Sequence, residues 1–325
     1  MLDRPSHLVW IPSIAYEQQK KNEYQQRQSV KDRQYEQQVE TTLAELHSQL
    51  MGTIEAQRFF VKACVFGLPS YDNLRFYDDF TLSYDNRLKQ PVWTIEHLTR
   101  PHFRHRYSIR PPKWARCNAD KSIHKQFRSS HRDYYNTDFS FIHFVAICNH
   151  KSNQKATNQS YRLTNTAPQT PNLNRGGPWN RLEGYVAYLA ARAENTYVVT
   201  GTLYKPPRGS KELSFPLLGL NRVAVPTHYY KVILCETRRG DTFIEAFAMP
   251  NSAQVDELVA LEEFRLDVEH NLEKLESVAG LKFFELIDKS KLTKPTEFQL
   301  GYKEAFDPTK RRYRPVFPWI LSCGK

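Results

Sequence analysis

Short apolar runs separated by polar turns dominate the middle of the chain, from residue 61 to residue 287. They are rich in β-branched and aromatic residues and are bounded by Gly, Pro or Asn, which is typical of β-strands. Helical signals extend from Pro178 to Arg192 and from Val255 to Glu276. Strands and helices that do not alternate regularly predict an α+β domain. The predicted strands are Phe80–Tyr84, Val92–Ile95, Phe139–Ile147, Tyr197–Gly201, Val223–Val225 and Tyr229–Leu234.

The chain before residue 61 has a different pattern. From Ile14 to Phe60 it contains one glycine, Gly52, and no proline, and it is dense in Gln, Glu, Lys and Arg. An apolar residue recurs every three or four positions, which predicts a long helix with one apolar face. The stripe covers about two heptads, so this face could be coiled-coil-like or a docking face. Its residues are Val39, Leu43, Leu46, Leu50 and Ile54.

The last segment is basic and aromatic. A basic run from Lys310 to Arg314 is followed by the proline- and aromatic-containing run from Pro315 to Trp319. This segment could contact phosphate groups or bind a protein partner, and the sequence leaves both open. We therefore divide the chain into an N-terminal Gln- and charge-rich helical extension (1–60), a central domain (61–287) and a C-terminal tail (288–325).

Composition narrows the class of protein. Of the 325 residues, 40% are hydrophobic and 13% aromatic, which is typical of a globular protein. No stretch of 18 uncharged apolar residues occurs, so no membrane span is predicted. The cysteines are odd in number, widely spaced and without a CxxC motif, which favours reduced thiols. They are Cys64, Cys117, Cys148, Cys235 and Cys323.

The net charge of +11 is concentrated in one stretch. Between Arg100 and Arg132 lie ten basic residues and one acid, Asp120. Such a dense cluster repels itself, so a polyanion that releases counterions on binding is favoured over a solvated loop or an acidic protein partner. Interleaved aromatic residues could stack on bases. The candidate nucleic-acid contacts are Arg104, Arg106, Arg110, Lys113, Arg116, Lys121, Lys125 and Arg128, with Arg175 further along the chain.

Several motifs occur in the order and near the spacing of one known family. They resemble the DNA/RNA non-specific endonuclease family and, within it, the endonuclease G branch. The resemblance implies a ββα-metal (His-Me finger) nuclease fold, with a central antiparallel sheet flanked by helices. The motifs are Ser122–His124, Phe139–Phe144, Asn149-His150, Asn165–Gln169, Leu173-Asn174, Trp179–Glu183, Thr200–Tyr204 and Gly219–Lys231.

The resemblance also implies a chemistry. In this family an imidazole deprotonates the attacking water, while one Mg²⁺ neutralises charge on the phosphate. His143 matches the general base, Asn174 the metal ligand and Glu183 the helix carboxylate that orients the metal-bound waters. Without the neighbouring motifs, a lone histidine in an apolar strand would be interpreted as structural. Mg²⁺ is the expected cofactor, with Mn²⁺ as an alternative.

Partners and compartment follow from the same resemblance. DNA, RNA or both are the expected ligands. The endonuclease G branch implies a homodimer, or a heterodimer with a related nuclease. The branch also implies mitochondria, but the start from Met1 to Pro5 lacks the basic, acid-free, serine-rich character of a presequence. A cytosolic or nuclear location therefore stays open.

The chain departs from the family at the catalytic motif. It has Ser140-Phe141-Ile142-His143 where the family has Asp-Arg-Gly-His. Ser140 supplies no carboxylate, and Phe141 removes a permanent cation. Ile142 could not replace a glycine that required positive φ. Because the loss of one charge-stabilising group costs about 10²–10³ in rate, we expect hydrolysis to be weak or lost, as in a pseudoenzyme.

Other departures leave alternatives open. Asn118 stands at a family arginine position, although Arg116 is near, and Arg175 stands where the family has glutamine. Asn174 lies nine residues before Glu183, where the family has eight. The Gly-Gly-Pro sequence ending at Pro178 could absorb that residue outside the helix, since proline suits the first turn. One alternative is thus an active enzyme that uses Arg116 or Arg175 as its cation. Another is a dimerisation or interaction partner of an active nuclease.

Overall fold

The computed structural model describes residues 64–104, 118–151, 154–174, 176–296, 298 and 299, with isolated positions between 18 and 62. The chain divides into two compact units, Met1–Leu50 and Met51–Lys325. The predicted apolar stripe from Val39 to Ile54 and the basic tail beyond residue 299 lie outside the described residues. Our predictions for the N-terminal extension and the tail therefore stay predictions.

An antiparallel sheet forms the centre of the second unit. Its seven strands have the order β1-β2-β3-β6-β9-β10-β11, while β4 pairs with β5 and β7 with β8 in separate two-stranded ladders. The strands are β1 (Leu74–Phe76), β2 (Phe80–Asp85), β3 (Gln90–Leu98), β4 (Ser140–His143), β5 (Thr166–Gln169), β6 (Asn195–Leu203), β7 (Leu217–Leu218), β8 (Val223–Ala224), β9 (His228–Glu236), β10 (Thr242–Pro250) and β11 (Arg265–Leu266).

Helices flank this sheet. The longest starts with Pro178 at its first position, where the missing N–H costs nothing, and the last ends on the left-handed Gly280 at φ 67°. No helix in the described part of the chain is both long and apolar enough to cross a lipid bilayer. The helices are α1 (Pro101–Arg104), α2 (Gln154–Ser160), α3 (Pro171–Asn174), α4 (Pro178–Arg192) and α5 (Val268–Ala279).

The two faces of the sheet pack against different elements. Opposed residues on neighbouring antiparallel strands share a face, so Thr94, Thr200 and Lys231 line one face in a row. Apolar residues of α4 and of the β4–β5 ladder pack on that face, and α5 packs on the other. The predicted α+β class, with a central antiparallel sheet flanked by helices, is confirmed.

Three sequence predictions differ from the observed elements. The helix predicted from Val255 begins only at Val268, because the Asp267 side chain caps it by accepting a hydrogen bond from the Glu269 N–H at 3.1 Å. The strand predicted to Ile147 ends at His143, and the chain turns into a 3₁₀ helix at Ile147–Asn149. Strand β10 was missed because its apolar residues are interrupted by Glu245.

Candidate active site

A two-stranded ladder presents the candidate histidine. In the β4–β5 pair, Ser140 lies opposite Gln169 and His143 lies opposite Thr166. The chain leaving β4 is fixed by Asn165, whose Oδ1 accepts from the Val145 N–H at 3.0 Å and whose Nδ2 donates to the Val145 carbonyl at 3.1 Å. Asn165, which matches a family motif, therefore acts here as a buried structural residue.

The His143 side chain is half-buried beside an aromatic ring. Its ring centroid lies 6.0 Å from that of Tyr161, in an edge-on arrangement. Burial lowers the pKa of His143 to about 4. The imidazole is therefore neutral at pH 7, the form that a general base requires. A base with so low a pKa is nevertheless a poor proton acceptor at neutral pH, where the favourable pKa lies near 7.

A tight connection links β5 to α4. Asn174 ends the short α3, and its carbonyl accepts a hydrogen bond from the Gly177 N–H at 2.7 Å. Gly177 caps α4, and a Cβ added there would overlap the Asn172 carbonyl oxygen. The break between the two helices therefore falls between Asn174 and Pro178. Gly176 and Gly177 therefore lie before α4, and Pro178 is its first residue, as the sequence analysis expected.

Glu183 lies in α4 and is 9% exposed. Burial raises its pKa to about 7, Lys231 opposes that rise, and the Glu96 carboxylate adds to it. A carboxyl group with this pKa is about half protonated at neutral pH. It therefore carries less negative charge for ordering metal-bound water than an exposed glutamate would.

Lys231 is a buried cation between β4 and α4, and the sequence prediction missed it. It is 1% exposed, and its Nζ donates to the Phe144 carbonyl at 3.1 Å and to Thr200 Oγ1 at 2.7 Å. The Nζ also lies 4.9 Å from the ring centroid of Trp179, in the first turn of α4. Burial lowers the pKa of Lys231, and the carboxylates of Glu96 and Glu183 oppose that fall.

A second buried charge network adjoins Glu96. His150 Nε2 lies 2.8 Å from Glu96 Oε2, and His150 Nδ1 lies 3.3 Å from Asp79 Oδ2. Burial acts to lower the pKa of His150, but the hydrogen bonds to both carboxylates outweigh it and raise the pKa to about 9. His150 is therefore an imidazolium that bridges two acids. The signal that could have revealed this network was Glu96, an acid next to an apolar strand run.

The substituted motif positions fill apolar space. The Phe141 ring centroid lies 4.5 Å from that of Tyr134 and 5.3 Å from that of His131. Phe141 also packs against the buried cluster that contains Leu218 and Val223. An aromatic side chain thus occupies the position where the family motif has arginine.

Ile142 and Ser140 adapt differently. Ile142 is 1% exposed, lies opposite Ala167 and does not have positive φ, so the strand accepts a β-branched residue there. Ser140 Oγ donates to the Gln169 carbonyl at 3.4 Å. The Gln169 side chain is fully buried, and neither of its amide atoms has a hydrogen-bond partner among the described residues.

Three of the candidate nucleic-acid contacts have described side chains, and they fall into two groups. Lys121 and Lys125 are exposed and available to a ligand. Arg128 instead donates to the carbonyls of Ile123 at 2.6 Å and Lys121 at 3.2 Å, so we expect it to shape this loop rather than contact nucleic acid. The side chain of Arg104 lies outside the described residues, as do Arg106, Arg110, Lys113, Arg116 and Arg175.

The one acid in the basic stretch does not offset its surface charge. Asp120 is 2% exposed, and its Oδ2 accepts hydrogen bonds from Arg162 at 3.1 Å and from Tyr77 at 2.5 Å. Burial acts against ionisation of Asp120, but the Arg162 guanidinium and the Tyr77 hydroxyl outweigh it and lower the pKa. Lys121 and Lys125 therefore face solvent without a compensating carboxylate from this residue.

Comparison with known proteins identifies the scaffold. Residues 61–290 match the family model of the DNA/RNA non-specific endonucleases. The mitochondrial endonuclease G of Caenorhabditis elegans is 33% identical over 238 residues, which cover 72% of this chain and 75% of that protein. The human enzyme is 34% identical over 221 residues, covering 67% and 71%.

A solved structure agrees with this match. A crystal structure of an EndoG/EndoGI complex superposes with a TM-score of 0.66 at 33% identity, over 74% of this chain and 96% of that chain. The chain therefore belongs to the DNA/RNA non-specific endonuclease family, whose members are metal-dependent nucleases. Within that family it belongs to the endonuclease G branch.

Proposed function

We propose that this protein binds nucleic acid on the nuclease scaffold and hydrolyses phosphodiester bonds weakly or not at all. The observation that carries the proposal is Phe141, which packs on Tyr134 where the family motif has arginine. An arginine there would supply a permanent positive charge, whereas phenylalanine supplies none. Losing one such group lowers the rate by about 10²–10³.

The remaining site residues support a reduced rate. His143 keeps its place on β4, but its pKa of about 4 makes it a weak base near pH 7. Glu183 keeps its place on α4, but its pKa of about 7 leaves it partly protonated. In this proposal His143 and Glu183 are the inherited groups, and the basicity of the first and the charge of the second are unfavourable for the reaction.

In this proposal Asn174 and Glu183 are the residues that would hold one hydrated Mg²⁺. Asn174 is half-exposed, and its side chain has no hydrogen bond within the described residues, so its amide oxygen is free to bind a hard cation. Mg²⁺ keeps most of its waters and needs few protein ligands. Asn174 would hold the ion, and Glu183 would accept hydrogen bonds from its waters. When bound, the ion would supply positive charge to the phosphate.

The proposal also covers the ligand, the compartment and the oligomeric state of the protein. Exposed Lys121 and Lys125 are the described residues that would contact DNA or RNA phosphates. The names of the related endonucleases support a mitochondrial location. We also infer pairing, as a homodimer or with a related nuclease, because the endonuclease G branch is dimeric. Light scattering of the purified protein would measure its mass directly.

A cleavage assay tests the catalytic part. Purified protein is incubated with plasmid DNA and with single-stranded RNA in Mg²⁺, Mn²⁺ or EDTA, beside the His143→Ala variant. We expect no metal-dependent cleavage beyond that of His143→Ala. A triple variant, S140D/F141R/I142G, restores the family motif and shows whether those three positions limit the rate. Robust metal-dependent cleavage that disappears in His143→Ala would instead favour the rebuilt enzyme.

A binding assay tests the proposed affinity for nucleic acid. Affinity for duplex DNA is measured at several salt concentrations for the wild type, Lys121→Gln/Lys125→Gln and the control Lys274→Gln/Lys291→Gln. Because each phosphate contact contributes about 0.9 to the slope of log K against log salt, the first variant should lose about 1.8 in slope. The control removes the same charge from exposed positions outside the basic stretch. Equal slopes in both variants would refute the assigned contacts.

A further inference from the structure

A cleft lies at the C-terminal end of α4. Its volume is about 500 Å³, and α4, the β9–β10 turn and the segment from Thr293 to Phe298 contribute its walls. Glu183 and Arg192 are nine residues apart on α4, about 14 Å along the helix axis at 1.5 Å per residue. His143, Asn174 and Glu183 do not line this cleft. It is therefore distinct from the candidate active site.

Specific contacts fix the wall that comes from the later segment. The Thr293 N–H donates to the Thr242 carbonyl at 2.7 Å, which attaches this segment to the start of β10. The ring centroids of Phe243 and Phe298 lie 5.4 Å apart. The cleft is therefore built by a backbone hydrogen bond and an aromatic contact, in addition to the sheet and α4.

The lining of the cleft is strongly positive. It contains four basic residues and one acid, Asp241, for a net charge of +3. In the described part of the chain, no ion pair joins Arg192, Arg238 or Lys294 to a carboxylate. A basic residue at a helix C-terminus stabilises the helix dipole, which accounts for Arg192. It does not account for Arg238 and Lys294, which come from other elements.

Aromatic rings adjoin these charges. The guanidinium carbon of Arg192 lies 3.7 Å from the Tyr188 ring centroid, so a cation–π contact holds that side chain against α4. Phe243 and Phe298 also line the cleft. Clustered cations attract a phosphate, and aromatic or arginine planes stack with a base. The volume lies within the range of about 300–1,000 Å³ found for small-ligand sites.

We propose that this cleft binds a nucleoside phosphate, either as a free nucleotide or as part of a nucleic-acid strand. Arg192, Arg238 and Lys294 hold the phosphate, and the aromatic wall holds the base. The proposal concerns a different surface from the candidate active site, so it does not depend on catalysis or on the basic stretch before residue 133.

The test compares two double variants. Arg238→Gln/Lys294→Gln removes two cations from the cleft, and Arg87→Gln/Lys274→Gln removes two exposed cations that do not line it. Calorimetry measures the binding of AMP, adenosine and inorganic phosphate to the full-length protein. We expect AMP to bind the wild type and the control alike. AMP should bind the cleft variant at least about tenfold more weakly, because two charge-assisted contacts are lost.

A second titration, with a single-stranded oligonucleotide, distinguishes a free nucleotide from a nucleic-acid strand as the ligand. A 20-nucleotide single strand is titrated at several salt concentrations, where two lost phosphate contacts reduce the slope by about 1.4. If AMP binding falls and the slope does not, a free nucleotide is the ligand. If AMP binds but no strand does, the proposed nucleic-acid function fails and the cleft assignment stands. No AMP binding by the wild type, or equal AMP binding by both variants, overturns the assignment.

Discussion

Replacing Lys231 with methionine tests the buried charge that connects the candidate site. The change removes the donor to the Phe144 carbonyl and to Thr200 Oγ1, both within a fully buried environment. It also removes a buried cation that interacts electrostatically with the Glu96 and Glu183 carboxylates, although Glu96 keeps its contact with His150. Leaving a buried hydrogen-bond acceptor without its donor costs about 1–3 kcal/mol, and Lys231 donates to two. Since domains have only about 5–15 kcal/mol of stability, we expect Lys231→Met to lose a large fraction of it.

The assay is urea unfolding at pH 7, followed by circular dichroism. Lys155→Met is the matched control, because Lys155 also forms an ion pair, with its Nζ 2.9 Å from Asp78 Oδ2, but its side chain is 51% exposed. Because Lys155 is half-exposed and solvent screens its charge, the control should lose less stability than Lys231→Met, although Asp78 itself is buried. A loss of less than about 1 kcal/mol in Lys231→Met would refute the argument that charge at this position stabilises the site.

Three further predictions concern the same region. Folding raises the pKa of His150 from 6.5 to about 9. Its contribution to stability is therefore complete below pH 6.5 and is lost as the pH rises through about 9. The wild type should therefore lose roughly 3 kcal/mol of stability between pH 6.5 and 9, and His150→Gln should not show this loss. Folding raises the pKa of Glu183 from 4.5 to about 7, so its contribution to stability is complete below pH 4.5 and is lost as the pH rises through about 7. Compared with the wild type, Glu183→Gln should therefore become more stable from pH 5 to pH 8. Gly177→Ala should cost about 1–3 kcal/mol, because the added Cβ overlaps the Asn172 carbonyl and must push α3 away from α4.

The same denaturation method checks all three. His270→Gln makes the same substitution at an exposed histidine outside the buried network and is the control for His150. A His150→Gln profile parallel to the wild type would contradict the imidazolium bridge. For Glu183, equal gains at pH 5 and pH 8 would show that its titration is not the cause. An unchanged melting temperature in Gly177→Ala would mean that the α3–α4 turn has room for a side chain.

Local sequence signals were sufficient to predict helices and strands where they act on the conformation of the backbone. Pro178 and the preceding glycines identified the start of α4, because proline fits only the first turn of a helix. Strands β2, β3 and β6 followed from β-branched and aromatic runs. The start of α5 at Val268 was missed, since the predicted helix began at Val255 and did not use Asp267 as a cap.

Interactions between distant residues could not be predicted in this way. Lys231 and Glu96 are 135 positions apart in the sequence, so nothing local shows that their charges share one face of a sheet. The effect of Ile142 also depended on tertiary structure. The concern about positive φ at this position did not apply, because the strand is regular there. The resemblance to the endonuclease family located His143, but it did not indicate that burial lowers its pKa.

The β4–β5 ladder has a consequence for how this family diverges. The ladder shares no backbone pairing with the seven-stranded sheet and is attached to it through side chains, such as Lys231 on the Phe144 carbonyl and Tyr229 on the Pro168 carbonyl at 2.5 Å. Substitutions at positions 140 to 142 therefore leave the hydrogen-bonded frame of the molecule intact. The backbone hydrogen bonds that pair the strands of the sheet are therefore different bonds from the contacts made by the side chains of the catalytic motif. A chain with a changed catalytic motif can therefore still match the family by its fold, as this one does.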